Sequence, residues 1–355
     1  MYDYLIIGGG LAGISFCEQA LNKGKSVLVL SDSSQNSSVI AGGLYNPVIL
    51  KRFSEVWKAS DQLELLYPFY QALEQKVSQK LINPIPLWRK FYSVEEQNNW
   101  FIAADKPNLA PFLDANLIHT TLSSIESPYA YGHVMHTGYV DTGLLLESYK
   151  AYLKMQQCFR EETFAYDLLE HHDEYIVYKD IRAKNIVFAE GFGLLSNPYF
   201  NTLPLDGTKG EVLVIHAPKL QLEVIVKSSI FIMPIGKDYY KVGATYNWVD
   251  KTNIPTLEAK NELLTQLKEL IQCDFTLVEH LAGVRPTVKD RRPLVGRHPL
   301  YKNMFILNGL GTRGVMLAPA MARDLFNYIE NDVPLDPYID IKRVKRFVSS
   351  FCHNG

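Results

Sequence analysis

Across 355 residues the chain has only four cysteines, Cys17, Cys158, Cys273 and Cys352. No two of them form a C-x-x-C pair, which sets aside the common zinc and redox motifs. Such sparse use fits a reducing compartment. No apolar run reaches the roughly 18 residues of a membrane span. Neither sign of charge dominates: 36 basic residues face 38 acidic ones, for a formal net charge of -2. Bulk attraction to nucleic acid or to an anionic membrane is therefore not expected. The first residues carry no basic n-region and no cleavage site, so the reading is cytoplasmic, with no membrane partner. His133, His136, His171, His172 and His280 do not stand at ligand spacing with acids, and no metal is expected. No nucleophile–base constellation stands out either.

What the chain does have starts at once. Tyr4 to Ile7 reads as a buried parallel strand, and Gly8, Gly10 and Gly13 follow in the G-x-G-x-x-G dinucleotide spacing. Gly8 allows a sharp turn, Gly10 lets backbone approach a pyrophosphate, and Gly13 lets the next helix pack against the strand. That helix runs from Leu11 to about Lys23, stops at Gly24, and leads to a second strand at Ser26–Ser31. Leu11 and Ala12 open the helix, where free N–H groups face phosphate charge. An acid for the ribose hydroxyls should end the second strand; Ser31 holds that place and Asp32 comes next.

Further along, Gly42, Gly43 and Leu44 introduce a second glycine segment, read either as a close approach to a ligand or as a plain turn. A core-facing helix follows within Ser54–Lys80, and Pro84, Pro86 and Trp88 mark an excursion into a strand-rich region. Residues 105–131 read as loop-rich. Asp141-Thr142 is an N-cap pair for a helix over Leu144–Leu153. Ala189 and Gly191 end a strand, at the sheet edge where ligands bind in open α/β folds. Strands in close succession from Gly210 to Tyr246 predict an antiparallel sheet separate from the nucleotide sheet. A second glycine loop, Gly309 to Gly314, leads into a helix to about Asn327 with Pro319 near its first turn. The basic tail residues Lys342, Arg343, Lys345 and Arg346 read as a solvated helix face.

Taken together, these motifs resemble the D-amino-acid oxidase superfamily of FAD-dependent oxidoreductases. The likeness rests on Gly8–Gly13, Gly43-Leu-Tyr-Asn-Pro47, Ala189-x-Gly191, Val242-Gly-Ala-Thr245, Ala282-Gly-Val-Arg-Pro286 and Gly309–Pro319. It is similar to glycine and sarcosine oxidases and to the FAD half of the tRNA-modifying enzyme MnmC. The resemblance implies an α/β (α+β overall) fold, a Rossmann-like FAD-binding domain with a second, mostly antiparallel-sheet substrate domain. The expected FAD-binding segments are residues 1–80, 133–203 and 277–355, with 81–132 and 204–276 forming the substrate domain.

It also implies a non-covalent FAD along Gly8–Gly13, Asp32, Gly42–Leu44, Ala189, Gly191 and the loop of Gly311, Thr312, Arg313, Gly314, Val315 and Met316. Arg285 is implied as the substrate-carboxylate residue, against a structural ion pair. Tyr246 and Phe231 are implied as pocket lining, against aromatic core. Arg313 is implied to contact flavin or substrate, against a loop-ordering role. The expected reaction is oxidation of the C–N bond of an amino acid or N-substituted glycine. The alternatives are a stand-alone oxidase acting on tRNA wobble uridine and a flavoprotein without turnover. Oligomeric state stays open.

Overall fold

The structure is a computed structural model that describes residues 1–120, 122 and 124–352; the side chains of Ser350 and Cys352 lie outside the described residues. Its centre is the strand Tyr2–Ile7, flanked in parallel by Val27–Ser31 and Ile181–Phe188. Phe159–Glu161 extends the sheet beyond Val27–Ser31, and Met304–Asn308 joins the far side of Ile181–Phe188, both also parallel. Leu169–His171, Ile176–Tyr178 and Leu294–Arg297 complete eight strands in antiparallel pairings. Register aligns Ile7 with Leu30 and Phe188, and Phe188 with Ile306. The carboxyl ends of the parallel strands therefore meet at one sheet edge, and the loops at Gly8, Ala189–Gly191 and Gly309 begin there.

Side chains of Tyr4–Ile7 alternate between two cores, as a pleated strand requires. Tyr4 and Ile6 pack with the helices Leu11–Leu21, Ala59–Val77, Thr142–Met155 and Gly314–Asn331. Leu5 and Ile7 pack on the opposite face with Phe164, Phe188, Phe200 and Phe347. Asp141 caps Thr142–Met155 as predicted, its carboxylate accepting from Leu144 N–H at 3.0 Å. The helix layer is cross-linked by buried Glu18, which receives Lys76 Nζ at 2.7 Å and the Tyr149 hydroxyl at 2.8 Å. Cys17 is fully buried beside it, and burial pushes its thiol up to about 12, which suits core packing.

A second eight-stranded sheet carries the other half of the molecule. Its order is Thr276–Arg285, Thr208–His216, Tyr239–Gly243, Phe231–Gly236, Ile225–Lys227, Leu87–Lys90, Tyr131–Val134, Leu113–Ile118. Every pairing is antiparallel except Ile225–Lys227 with Leu87–Lys90. The helix Leu257–Leu270 covers one face through Leu263 and Leu267. Hydrogen bonding carries Tyr131–Val134 and Thr276–Arg285 into this sheet, across the segment borders drawn from sequence.

Three local readings are corrected. Residues 113–118 form an edge strand within the stretch read as loop; Asp114, Ala115 and Asn116 have low strand propensity and hide it. Pro319 lies inside Gly314–Asn331 rather than in its first turn. A proline there removes the N–H that would bond to Val315 O. The buried Tyr70 hydroxyl donates to that carbonyl instead, at 2.9 Å. The basic tail is not merely solvated: Arg343 Nε lies 3.2 Å from Asp290, and Phe347 is fully buried.

No helix among the described residues is long and apolar enough to cross a membrane.

Candidate active site

One continuous cavity of about 1130 Å³ runs from Ser31 and Asp32, past the first glycine loop, to Arg285 and Arg313. It opens between the two large sheets. Gly8, Gly10, Leu11, Ala12, Gly42, Gly43, Leu44, Ala189, Gly191 and Gly311 to Met316 line it, together with Asp32, Phe231, Tyr246 and Arg285. Gly13 stands apart from this wall.

The glycines divide by what a side chain would strike. At Gly13 a Cβ would sit 1.8 Å from the Gly8 carbonyl oxygen, so its role is close packing of helix on strand. Gly8 has φ +111°, and a Cβ there would lie 2.4 Å from Ala189 O. At Gly10 the nearest atom is the Ser38 hydroxyl at 3.3 Å, and no backbone crowds it. Gly10 is thus the member of the fingerprint whose freedom faces the cavity. Gly43 (φ +68°) is demanded by the Val140 carbonyl, 1.9 Å from a Cβ, so backbone packing accounts for it.

At the Ser31–Asp32 end, Asp32 is already engaged. Its Oδ1 accepts from Ser34 N–H at 3.0 Å and from the Ser34 hydroxyl at 2.6 Å, and its Oδ2 from Thr163 at 2.8 Å. These bonds, against a burial cost, hold its carboxyl below the usual range. Ser31 Oγ rests 3.0 Å from where a Gly9 Cβ would stand. Glu190 turns into the wall, accepting from Asn197 at 2.7 Å and from the Tyr166 hydroxyl. Burial pushes its carboxyl up to about 7, against both hydrogen bonds. Asn308 joins two loops of the wall by donating to Gly191 O at 2.9 Å.

At the far end Arg285 leaves the strand Thr276–Arg285 and lies flat over Gly210. A Cβ at Gly210 would be 1.9 Å from Nη2 and 2.1 Å from Cζ. Nη1 donates to Thr245 O at 3.3 Å, and the guanidinium sits 4.7 Å from the centroid of the Tyr246 ring. Among the described residues no carboxylate pairs with it, so the ion-pair alternative fails. Burial lowers its affinity for the proton. Arg313 is the same kind of group: Nη1 donates to Asn46 O at 3.1 Å, and burial pushes it down to about 10. That contact ties its loop to the Gly43–Pro47 segment while the side chain faces the cavity. Tyr246 is 62% exposed, which makes it a rim residue rather than core. The first-turn N–H groups of Gly314–Asn331 have no partner within the helix, and Gly314, Val315 and Met316 line the cavity.

Sequence reasoning missed several wall residues. Glu162, Thr163, Phe164 and Tyr166 close the Asp32 end, brought there by Phe159–Glu161 pairing with Val27–Ser31. Lys227 lines the cavity from a strand with no motif. Gly210 did give a signal: a glycine inside a strand marks a close approach.

Comparison with known proteins agrees with this architecture. A glycine oxidase of Bacillus subtilis is 25% identical over 62% of this chain and 64% of its own length. A bifunctional tRNA 5-methylaminomethyl-2-thiouridine biosynthesis protein MnmC of Marinobacter nauticus is 24% identical over 92% of this chain and 55% of its own length. The chain thus spans only about half to two thirds of these curated relatives. The crystal structure of a Bacillus cereus glycine oxidase superposes with a TM-score of 0.76 at 19% identity, covering 94% of this chain and 96% of that one. The family model for FAD dependent oxidoreductases matches residues 3–327, nearly the whole described fold, and the chain belongs to that family, DAO.

Proposed function

We propose that the chain oxidises the C–N bond of an N-substituted glycine or small amino acid, using FAD held without a covalent link. The residues present fit that cofactor. The cavity is long and continuous, Gly10 leaves its wall open beside a helix N-terminus, and a second helix N-terminus closes the opposite end. Gly8 to Ala12 would hold the pyrophosphate, Ser31 and Asp32 the adenosine side, and Gly311 to Met316 the ring. Among the described residues no cysteine lines the cavity, which supports non-covalent binding. Bound FAD supplies a two-electron acceptor for the hydride of the substrate's α C–H bond.

The single observation that carries the reading is Arg285. A half-buried guanidinium with one carbonyl partner keeps most of its five N–H donors free. Its planar fork matches a carboxylate with two parallel hydrogen bonds. Gly210 removes the side chain that would lift it, and the Tyr246 ring shields it at the rim. The substrate amine is thereby fixed by its carboxylate, and loss of a hydride and a proton leaves an imine that water hydrolyses.

A second reading has its own support. The MnmC relative aligns over 92% of this chain, and Tyr246 and Trp248 stand exposed, 62% and 46%, at and beside the rim. Exposed aromatics stack unpaired bases. In that reading a carboxymethylaminomethyl group on tRNA is the N-substituted glycine. Anaerobic mixing of the FAD-loaded protein with glycine, sarcosine or an anticodon stem-loop carrying that group distinguishes them. Loss of the yellow flavin absorbance is expected with the free amino acids. Bleaching only by the stem-loop favours the second reading, and no bleaching with any of them overturns both.

A further inference from the structure

Arg285 and Arg313 are not the only cations of the cavity wall without an anionic partner. Lys227 ends the strand Ile225–Lys227, opposite Phe231, and lines the same cavity. Its ammonium donates to Ser229 O at 2.8 Å. No carboxylate among the described residues pairs with it. Its neighbour Arg89, one strand away, is paired with Glu96, with Nε at 3.0 Å from the carboxylate. The contrast matters because Lys227 is itself largely enclosed. Burial, then the charge of Arg89, pushes it down to about 8. The protein holds a cation at a cost and supplies nothing to balance it.

Its position is also set. Arg285 and Lys227 belong to the same sheet, in the order Thr276–Arg285, Thr208–His216, Tyr239–Gly243, Phe231–Gly236, Ile225–Lys227. Their backbones are four strand spacings apart, roughly 19 Å across the sheet. Both side chains reach the one cavity between. One small carboxylate cannot serve both. Phe231, the register partner of Lys227, packs against Gly42 on the cavity wall.

We propose that Lys227 is a specificity residue for a second anionic group, carried on the nitrogen substituent of the substrate whose glycine carboxylate binds Arg285. This rests on the amino-acid reading above and names its substrate class: an N-substituted glycine that is a dianion. The distal anion is either a carboxylate on a small molecule or a phosphate on a nucleoside.

The test uses the FAD-loaded full chain with N-(carboxyalkyl)glycines of increasing length and N-alkylglycines of matching length. The wild type is expected to favour the best dianion over its neutral match by about tenfold or more in kcat/KM, mostly through KM. Lys227→Met should erase that preference by weakening the dianions far more than the neutral substrates, while Lys227→Arg should keep it. A second arm measures binding of unreactive glutarate against butyrate, and of a nucleoside monophosphate against its nucleoside, by calorimetry. Loss of the glutarate advantage in Lys227→Met assigns a carboxylate, and loss of the monophosphate advantage assigns a phosphate. If sarcosine reduces the flavin but dianions gain nothing, or if Lys227→Met slows both series alike, the dianion inference falls and the amino-acid reading stands. If no N-substituted glycine reduces the flavin, both fall.

Discussion

Two cations, one fully buried and one half-buried, stand next to each other across paired strands and have opposite surroundings. Lys209 is completely buried and is ringed by acceptors: Asp250, the Ile254 carbonyl, Thr252 at 3.4 Å and Glu211 at 3.5 Å. Arg285 faces Thr208, one residue away in the register, and has the Thr245 carbonyl alone. The Lys209 ammonium pins the middle of the exposed 246–256 loop at Asp250, Thr252 and Ile254, and Glu211 holds its end by accepting from Thr256 N–H at 2.9 Å. A buried charge that is fully paired holds the fold together. A buried charge that is left unpaired is held by the fold for something that arrives later.

The comparison breaks if the two cations respond alike to substitution. Lys209→Met leaves Asp250 and Glu211 without their cation, and it should cost about 3–5 kcal/mol of stability, read by denaturant unfolding. Arg285→Met removes no protein anion's partner. It should leave the unfolding midpoint nearly unchanged while kcat/KM falls about a hundredfold, close to 3 kcal/mol in the transition state.

Glu190 is an intermediate case, a buried acid satisfied by neutral donors only. Its folded-state affinity for the proton exceeds the unfolded one, so stability should fall as pH rises from about 4.5 to about 7 and stay reduced above that. Glu190→Gln should flatten this slope by about 2 kcal/mol, measured as the wild-type-minus-variant difference between pH 5 and pH 8. The neutral counterpart is Tyr70. Tyr70→Phe should orphan Val315 O at the proline of the helix and cost about 1–2 kcal/mol in thermal unfolding.

The sequence made parts of the site legible because local chemistry forced them. Gly8 and Gly13 have no alternative residue, since a Cβ at either meets backbone within 2.4 Å. The loops at Ala189–Gly191 and Gly309–Gly314 follow strands whose register brings their ends together, so a strand–glycine pattern was enough to find them. Asp32 was legible as an acid at the right place, yet Ser34 and Thr163 already occupy its oxygens, and no pattern along the chain announces that. Lys227 was illegible for a related reason. A lysine on a strand reads as a solvated residue unless the strands around it are known, and its enclosure comes from pairing with segments near residues 88 and 231.

Local periodicity and backbone sterics, which depend on neighbours within a few residues, determined the nucleotide fingerprint, the two kinds of sheet, the helix caps and the order of the glycine loops. The absence of partners was decided by tertiary structure alone. Whether a cation is paired depends on what other strands bring within a few ångströms. That separates Lys209 from Arg285, and it places Arg285, Arg313 and Lys227 around one cavity with their charges free.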